Sequence, residues 1–559
     1  MHAPDVARPA AATRNAARRG FAATERAVAA AVARPLVALA ALTVVHWIAL
    51  CIYALAVTRN GWLFYQGGDQ IWLISTGWLL GLGEIAPAYV GYGWPLALAP
   101  LTWFTGPGFV DVMPPVILLD ALVLAPLALW AVYGLAARVA GAAFGLFAAA
   151  VWVVAPYAVI PLWRDDYHER YVEQFLPGAL GLTGLADYQS MVLLLAGALL
   201  VVRALEQEAP WEAVAAGLVA GFAVGMKPSN GLFLAAPVLA ALVARRARVL
   251  VPFGLALLPA LLTLALWKQR GLGTLPVFAL EEARTAAAVA LGVPDVGRYV
   301  DLDWANLHGN MNHLREYFWS ARVLQFLPFA GLFAVGRRSL PLAALLGTWF
   351  AAFLLVKGAS PLSTVSSGSF FRFVMPGFPA YFLLAVSVVL LVPTFGARLA
   401  ARWPERPRRP VGVRTTGALA VGLAALPLLV VALLGPSSSP AKAAVWNEIL
   451  TPVDEKIDVR VRAEGERRVL TWTHPRAGAS DVFYRVFRTG RDGRDLECAD
   501  RGAATECHLR MVLLGTTRAA RWVDGSPPPG SLYRIGVAAN SRDDPTAGDV
   551  ATLSPPVAG

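Results

Sequence analysis

LVALAALTVVHWIALCIYALAVTRNGWLFYQGGDQIWLISTGW, Leu36 to Trp78, opens with 22 residues, Leu36 to Val57, that include no Asp, Glu, Lys or Arg. At a helical rise of about 1.5 Å per residue, such a run exceeds the ~30 Å hydrocarbon core of a bilayer. It reads as a membrane span. The residues after it are aromatic, carry the glycines Gly67 and Gly68, and deliver a single carboxylate, Asp69, to the lip of that span.

The same reading extends over most of the chain. Of 559 residues, 57% are hydrophobic and 15% charged, and the mean hydropathy is +0.55, outside the range of ordinary soluble domains. Apolar stretches recur until about Leu434. The sequence predicts about eleven spans, near 36–57, 113–136, 141–162, 188–204, 211–226, 229–244, 249–267, 323–336, 340–356, 373–394 and 415–435. Ahead of them lies a basic arm, residues 1–35, with Arg8, Arg14, Arg18, Arg19, Arg26 and Arg34. The first apolar run starts late, is long and lacks a small-residue exit site, so it reads as a span rather than a cleavable signal.

With the arm in the cytoplasm, Arg138, Arg203, Arg245, Arg246, Arg248, Arg337, Arg338 and the run from Arg398 to Arg414 all fall on the cytoplasmic side. The net charge of +11 is thus read as topology, with no nucleic-acid partner. The predicted protein is multi-pass in the plasma (inner) membrane, and an odd span count puts its C-terminal region outside. Three outer loops are then long, at about 58–112, 163–187 and 268–322.

In the first loop, "GEIAPAYVGYGWPLALAPLTWF" (Gly83–Phe104) spaces its aromatic residues as helices lying in the interface plane do. Asp69 has two readings. It can cap a helix start, or it can serve as a general base on an acceptor hydroxyl at the membrane surface. The second loop opens "WRDDYHERYVEQF" (Trp163–Phe175), where Asp165, Asp166, His168 and Glu169 crowd together between Arg164 and Arg170. A solvated loop would look like this; so would a group that shares a proton or ligates a divalent cation, although the spacing matches no specific metal signature.

Two cations break the positive-inside pattern: Lys227 in "GMKPSNG" and Arg372 in "SSGSFFRFVMPGFPAYFLL". Either they snorkel or they neutralise a phosphate or pyrophosphate at headgroup level, with the serines and Thr364 of "SPLSTVSSGS" adding hydroxyl donors.

Over residues 30–435 this pattern resembles the GT-C superfamily of integral-membrane glycosyltransferases, which use polyprenyl-phosphate sugar donors. "GGDQIWLISTGWLLGLGEIAPAYVGYGWPLALAP" is similar to that family's first outer loop, and the resemblance makes Asp69 the catalytic acid. In the mannosyl- and aminoarabinose-transferring branches a second acid comes from the second outer loop, which makes Asp165 or Asp166 the counterpart. "FRFVMPGFPAYFLL" resembles the family's late span, an Arg followed by Pro. Gln70 stands after Asp69 where many members carry a second acid, and it joins His168 and Glu169 as a candidate substrate or metal contact.

Beyond a linker at 436–452 the period changes to two. "KIDVRVRAEGERRVLTWTHP", "DVFYRVFRTG", "CHLRMVLL" and "LYRIGVAAN" are short alternating strands broken by Gly, Pro and Asp, which predicts an all-β sandwich over 453–559. It resembles a fibronectin type III domain with Trp472 and Tyr533 as core aromatics. Cys498 and Cys507, nine positions apart in an outer domain, read as a disulfide; Cys51 lies in the first span.

The expected function is transfer of a sugar, with inversion, from a polyprenyl-phosphate donor to a glycan, lipid or protein acceptor outside the cytoplasm. A transporter or flippase of lipid-linked glycans is the alternative from another class, but it calls for charges near the midplane, and the charges read here sit at the outer edge. A non-enzymatic envelope scaffold is the third reading; it leaves the acids of the outer loops without a role.

Overall fold

The computed structural model describes residues 28–56, 69–81, 83–85, 90–105, 109–158, 175–272, 302–318, 320–365, 368–393, 396–397, 411–436, 457–474, 483–489, 507–508, 511–539, 549–554 and 556–559. The chain is mostly helical, with a smaller β region at its C-terminal end. Among the described residues seven helices are long and apolar enough to cross a membrane: Pro35–Ala56, Val112–Ala140, Asp187–Gln207, Ala247–Gly271, Leu340–Gly358, Ser369–Leu391 and Val413–Leu433. Four further apolar helices, Ala142–Tyr157, Pro210–Met226, Pro228–Val243 and Ala321–Gly336, are shorter. At about 1.5 Å per residue, sixteen or seventeen residues reach only ~25 Å, less than the hydrocarbon thickness. The expected count of eleven full spans therefore meets seven helices of spanning length.

The elements that frame the site are helices α1 (Pro35–Ala56), α2 (Asp69–Gly81), α3 (Gly93–Thr105), α4 (Phe109–Leu119), α5 (Ala125–Ala140), α6 (Ala142–Ala158), α7 (Asp187–Gln207), α8 (Pro210–Met226), α9 (Ala235–Val243), α10 (Leu250–Leu272), α11 (Trp304–Tyr317), α12 (Leu327–Gly336), α13 (Leu340–Gly358), α14 (Ser369–Val374), α15 (Phe378–Ser387), α16 (Val413–Ala420) and α17 (Leu426–Leu433). Helix α7 is the central pillar, buried along nearly its whole length. Its sequence explains the position: apolar on every side between Met191 and Val202, it has no face that prefers water. Alanine-rich faces of α5 and α8, including Ala128, Ala131, Ala216 and Ala220, share its core.

The bonds at the helix ends sort into two groups. At one end Arg138 pairs with Glu206 at 2.9 Å, Arg203 grips Glu212 through Nε and Nη2 at 3.0 and 2.6 Å, and Glu212 Oε1 also accepts from Val411 N at 3.1 Å. At the other end a short strand β1 (Glu84–Ile85) pairs in parallel with β2 (Gly435–Pro436), Arg270 donates to Ala432 O at 2.7 Å, and Trp267 and Lys268 both donate to Val90 O, at 3.0 and 3.1 Å. Arg138 and Arg203, expected on the cytoplasmic side, lie at the first end, and Val90 and Lys268, expected in outer loops, lie at the second.

Among the described residues the β region holds two antiparallel sheets. The smaller pairs β3 (Asp458–Glu464), β4 (Arg467–Thr473) and β8 (Arg521–Asp524) in that order. The larger runs β10 (Asp549–Leu553), β9 (Leu532–Ala539), β5 (Phe483–Thr489), β7 (Met511–Thr517), β6 (Cys507–His508), with β11 (Val557–Ala558) also on β9. One core joins them: Leu470 and Trp472 from the smaller sheet, Tyr484, Val486, Tyr533 and Ile535 from the larger. Trp472 meets Tyr484 edge to face at 5.2 Å, and both aromatic residues expected in the core are buried there. Cys498 lies outside the described residues, and with it the expected disulfide to Cys507; Cys51 is free and exposed on α1.

Candidate functional site

Lys227 owes its place to the end of α8. Pro228 follows it, and the residue before a proline is driven out of helical geometry; Lys227 is extended (φ −139°, ψ 105°), so its side chain leaves the helix. Its ammonium bonds the carboxylate of Asp187, the first residue of α7, through Oδ1, and the carbonyl of Arg372 at 3.3 Å. Arg372, on α14, approaches the same carboxylate, Nε to Oδ2 at 3.6 Å. The two cations expected to act together therefore do meet, on a buried acid. Their side chains are 22% exposed and that of Asp187 is 5% exposed, so the acid lies beneath and the cations reach toward the surface.

Among the described side chains, two positive charges meet one negative charge here. A third cation stands close by. The ring of Phe373 has Lys227 Nζ at 5.7 Å from its centroid and Lys357 Nζ at 5.9 Å, within cation–π range of both. The turn that leads into α14 is held from α11: Asn306 donates to Ser360 O and Ser363 O at 2.7 and 2.9 Å, and Asn310 binds both Ser363 O and Val365 N. The turn itself closes at Gly368, whose φ of +76° and contact with the Phe175 ring exclude a side chain. Of the hydroxyls expected to serve as donors, Ser369 Oγ is engaged within the turn, donating to Leu362 O at 2.8 Å and accepting from Thr364 N at 2.9 Å.

The segment expected as the first outer loop reaches the same place. Asp69 is the first residue of α2, and Gln70 after it is fully buried, accepting a hydrogen bond from Gly184 N at 2.7 Å. The carbonyl of Gly184 accepts in turn from Trp94 Nε1 at 2.9 Å. Gly184 precedes Asp187 by three residues. The start of α2, the start of α7 and the cation pair are thus linked. Gln70, expected as a substrate or metal contact, has its carbonyl oxygen bonded to the backbone. Asp69 opens the helix, and its side chain lies outside what is described; Asp165, Asp166, His168 and Glu169 lie outside the described residues altogether. Among the described residues no three of His, Cys, Asp and Glu gather closely enough to hold a metal ion.

Sequence reading missed Asp187, although the signal was there: in "LADYQSMVLLL" it is the acid at the outer edge of a span, opposite in sign to Lys227. It also missed Asp120. The sequence reading placed the ionisable groups at the outer edge; Asp120, 1% exposed, is inside the bundle, in a π-helical turn (Asp120–Leu124) between α4 and α5. Gln189 Nε2 donates to its Oδ2 at 2.7 Å, and Trp47 Nε1 donates to Ala121 O at 2.7 Å within the same turn. A lone acid within "VILLDALVLA" was the available signal.

No family model matches the chain, and no curated protein matches it. Among solved structures it is similar to the crystal structures of the oligosaccharyltransferase of Archaeoglobus fulgidus. Against the apo form the identity is 14% and the TM-score 0.36, covering 73% of this chain and 58% of that one. Against the complex with Zn and sulfate the identity is 14% and the TM-score 0.35, covering 72% and 55%. The chain spans a little over half the length of that protein, and a likeness this distant lends it no function.

Proposed function

We propose that the chain is an integral-membrane glycosyltransferase of the GT-C kind, transferring a sugar from a polyprenyl-phosphate donor to a glycan, lipid or protein acceptor on the outer side of the plasma membrane. Lys227 and Arg372 receive the donor phosphate. The acceptor hydroxyl attacks the anomeric carbon from the opposite face, its proton passes to Asp69, and the bond to the phosphate oxygen breaks with inversion. Polyprenyl phosphate leaves with the electron pair, its charge held by the two cations. Asp165 or Asp166 acts as the second acid. The basic arm is cytoplasmic, the spans cross from 36 to 435, and a fibronectin-like sandwich with a Cys498–Cys507 bridge stands outside.

One observation carries this reading: Lys227 and Arg372, 145 positions apart, converge on Asp187 at the end of the bundle to which Gln70 ties the start of α2. Asp120 favours a second reading, movement of a lipid-linked glycan across the membrane, because a carboxyl group buried within a bundle is a common feature of transport pathways. Mass spectrometry of envelope glycans separates the two. Under the proposal, a strain lacking the gene loses a glycan modification and the Asp69→Asn chain does not restore it. Restoration by Asp69→Asn with failure of Asp120→Asn supports the transport reading.

A further inference from the structure

Among the described residues, three points besides the β1–β2 pairing hold the first outer loop, and two of them lie within three residues ahead of a charged residue of the cation site. Gly184, three residues before Asp187, has both polar atoms of its backbone held: the N–H by Gln70 Oε1 at 2.7 Å and the carbonyl by Trp94 Nε1 at 2.9 Å. Both gripping side chains are buried, Gln70 fully. The second point is Gly225–Met226, directly before Lys227. There the "VGYGW" stretch lies backbone against backbone: a Cβ on Gly91 would come within 2.1 Å of Gly225 O, and one on Gly93 within 2.7 Å of Met226 Cγ. Tyr92, between them, fills the space over Gly225, where a Cβ would stand 2.5 Å from its ring. The third point is Val90 O, held by Trp267 and Lys268.

We propose that Gln70 and Trp94, with the Gly91–Gly93 stretch, are positioning residues: the first outer loop holds the chain just ahead of Asp187 and just ahead of Lys227, and so presets the distance between carboxylate and ammonium before any ligand arrives. The inference deepens the donor-phosphate reading and rests on it for its functional consequence. Its physical basis is preorganisation. A cation pair already held in place loses little conformational freedom when an anion binds. Gln70 also adjoins Asp69, so the same grip sets where α2 begins relative to the cations.

The test uses the full chain in nanodiscs and two variants: Gln70→Leu, which keeps the bulk and removes the acceptor, and Trp94→Phe, which keeps an aromatic ring and removes the donor together with part of the buried bulk. Acetylation of Lys227 by sulfo-NHS-acetate is followed by mass spectrometry, with thermal melting alongside. One lost buried hydrogen bond corresponds to a factor of about 3 to 10 in an equilibrium, and Lys227 labelling is expected to quicken by that factor in both variants. Farnesyl phosphate affinity falls by a similar factor, while farnesol, which lacks the phosphate, binds as before. If Gln70→Leu melts low, the milder Trp94→Phe decides. Lys227 labelled at the wild-type rate in a normally melting Trp94→Phe chain overturns the proposal. The donor-phosphate reading fails separately, through a Lys227→Met chain that binds farnesyl phosphate as tightly as wild type.

Discussion

Asp187 is the residue on which the site turns, because one buried carboxylate faces two cations that approach from different helices. Removing it leaves Lys227 and Arg372 facing each other. Asp187→Ala is expected to lower stability by about 1–3 kcal/mol, below the range for a fully buried pair because both cations are partly exposed, and thermal melting in detergent measures it. Asp69→Asn keeps shape and capping ability but removes basicity. Under the proposed mechanism it lowers turnover by about 10²- to 10⁴-fold at unchanged melting temperature, as a transfer assay would read. Near-normal turnover would make Asp69 a helix cap. Arg372→Lys tests the form of the phosphate contact: an ammonium keeps the charge and loses the planar fork, so donor affinity falls if the guanidinium grips the phosphate. Equal affinity in two equally stable proteins counts against that grip.

At the scale of elements, what the sequence made legible followed from periodicity. Long uncharged runs became helices and alternating runs became strands, because those patterns match the two geometries directly. Trp472 and Tyr533 could be placed in a core for that reason. The bounds of the shorter runs were legible, 211–226 and 323–336 against Pro210–Met226 and Ala321–Gly336, but the run from 141 was read to 162 where the described helix is Ala142–Tyr157, and sixteen or seventeen residues fall short of a full span. Lys227 and Arg372 stood out as cations on the wrong side; their shared acid did not, since Asp187 lies at the margin of an apolar run. The clamp on Gly184 was invisible, being made of one amide, one indole and a peptide unit far apart in sequence. The β region holds a comparable buried group, Asp524, which accepts from Arg488 and from Tyr533, each at 2.8 Å. Burial and that carboxylate push the Tyr533 phenol above its ordinary value. Asp524→Ala removes the buried carboxylate that Arg488 and Tyr533 share, and is expected to cost the β region about 3–5 kcal/mol, measurable by urea denaturation followed through Trp472 and Trp522 fluorescence.

Across the helical bundle, the described ion pairs gather at two ends. Arginine–glutamate pairs such as Arg203–Glu212 tie one end of the bundle, and at the other the first loop, the start of α7, the turn after α8 and the entry to α14 meet at two cations and one acid. Under the proposed function, that second end is where the phosphate of a lipid-linked donor meets Lys227 and Arg372, beside the start of α2. The most direct measurement is a cryo-EM structure of the full chain in nanodiscs with a polyprenyl phosphate bound. The proposed site requires the phosphate in contact with Lys227 and Arg372, with the Asp69 carboxylate on the same side of the molecule. A phosphate bound at the Arg203–Glu212 end, or Asp69 turned to the opposite side of the molecule, would contradict it.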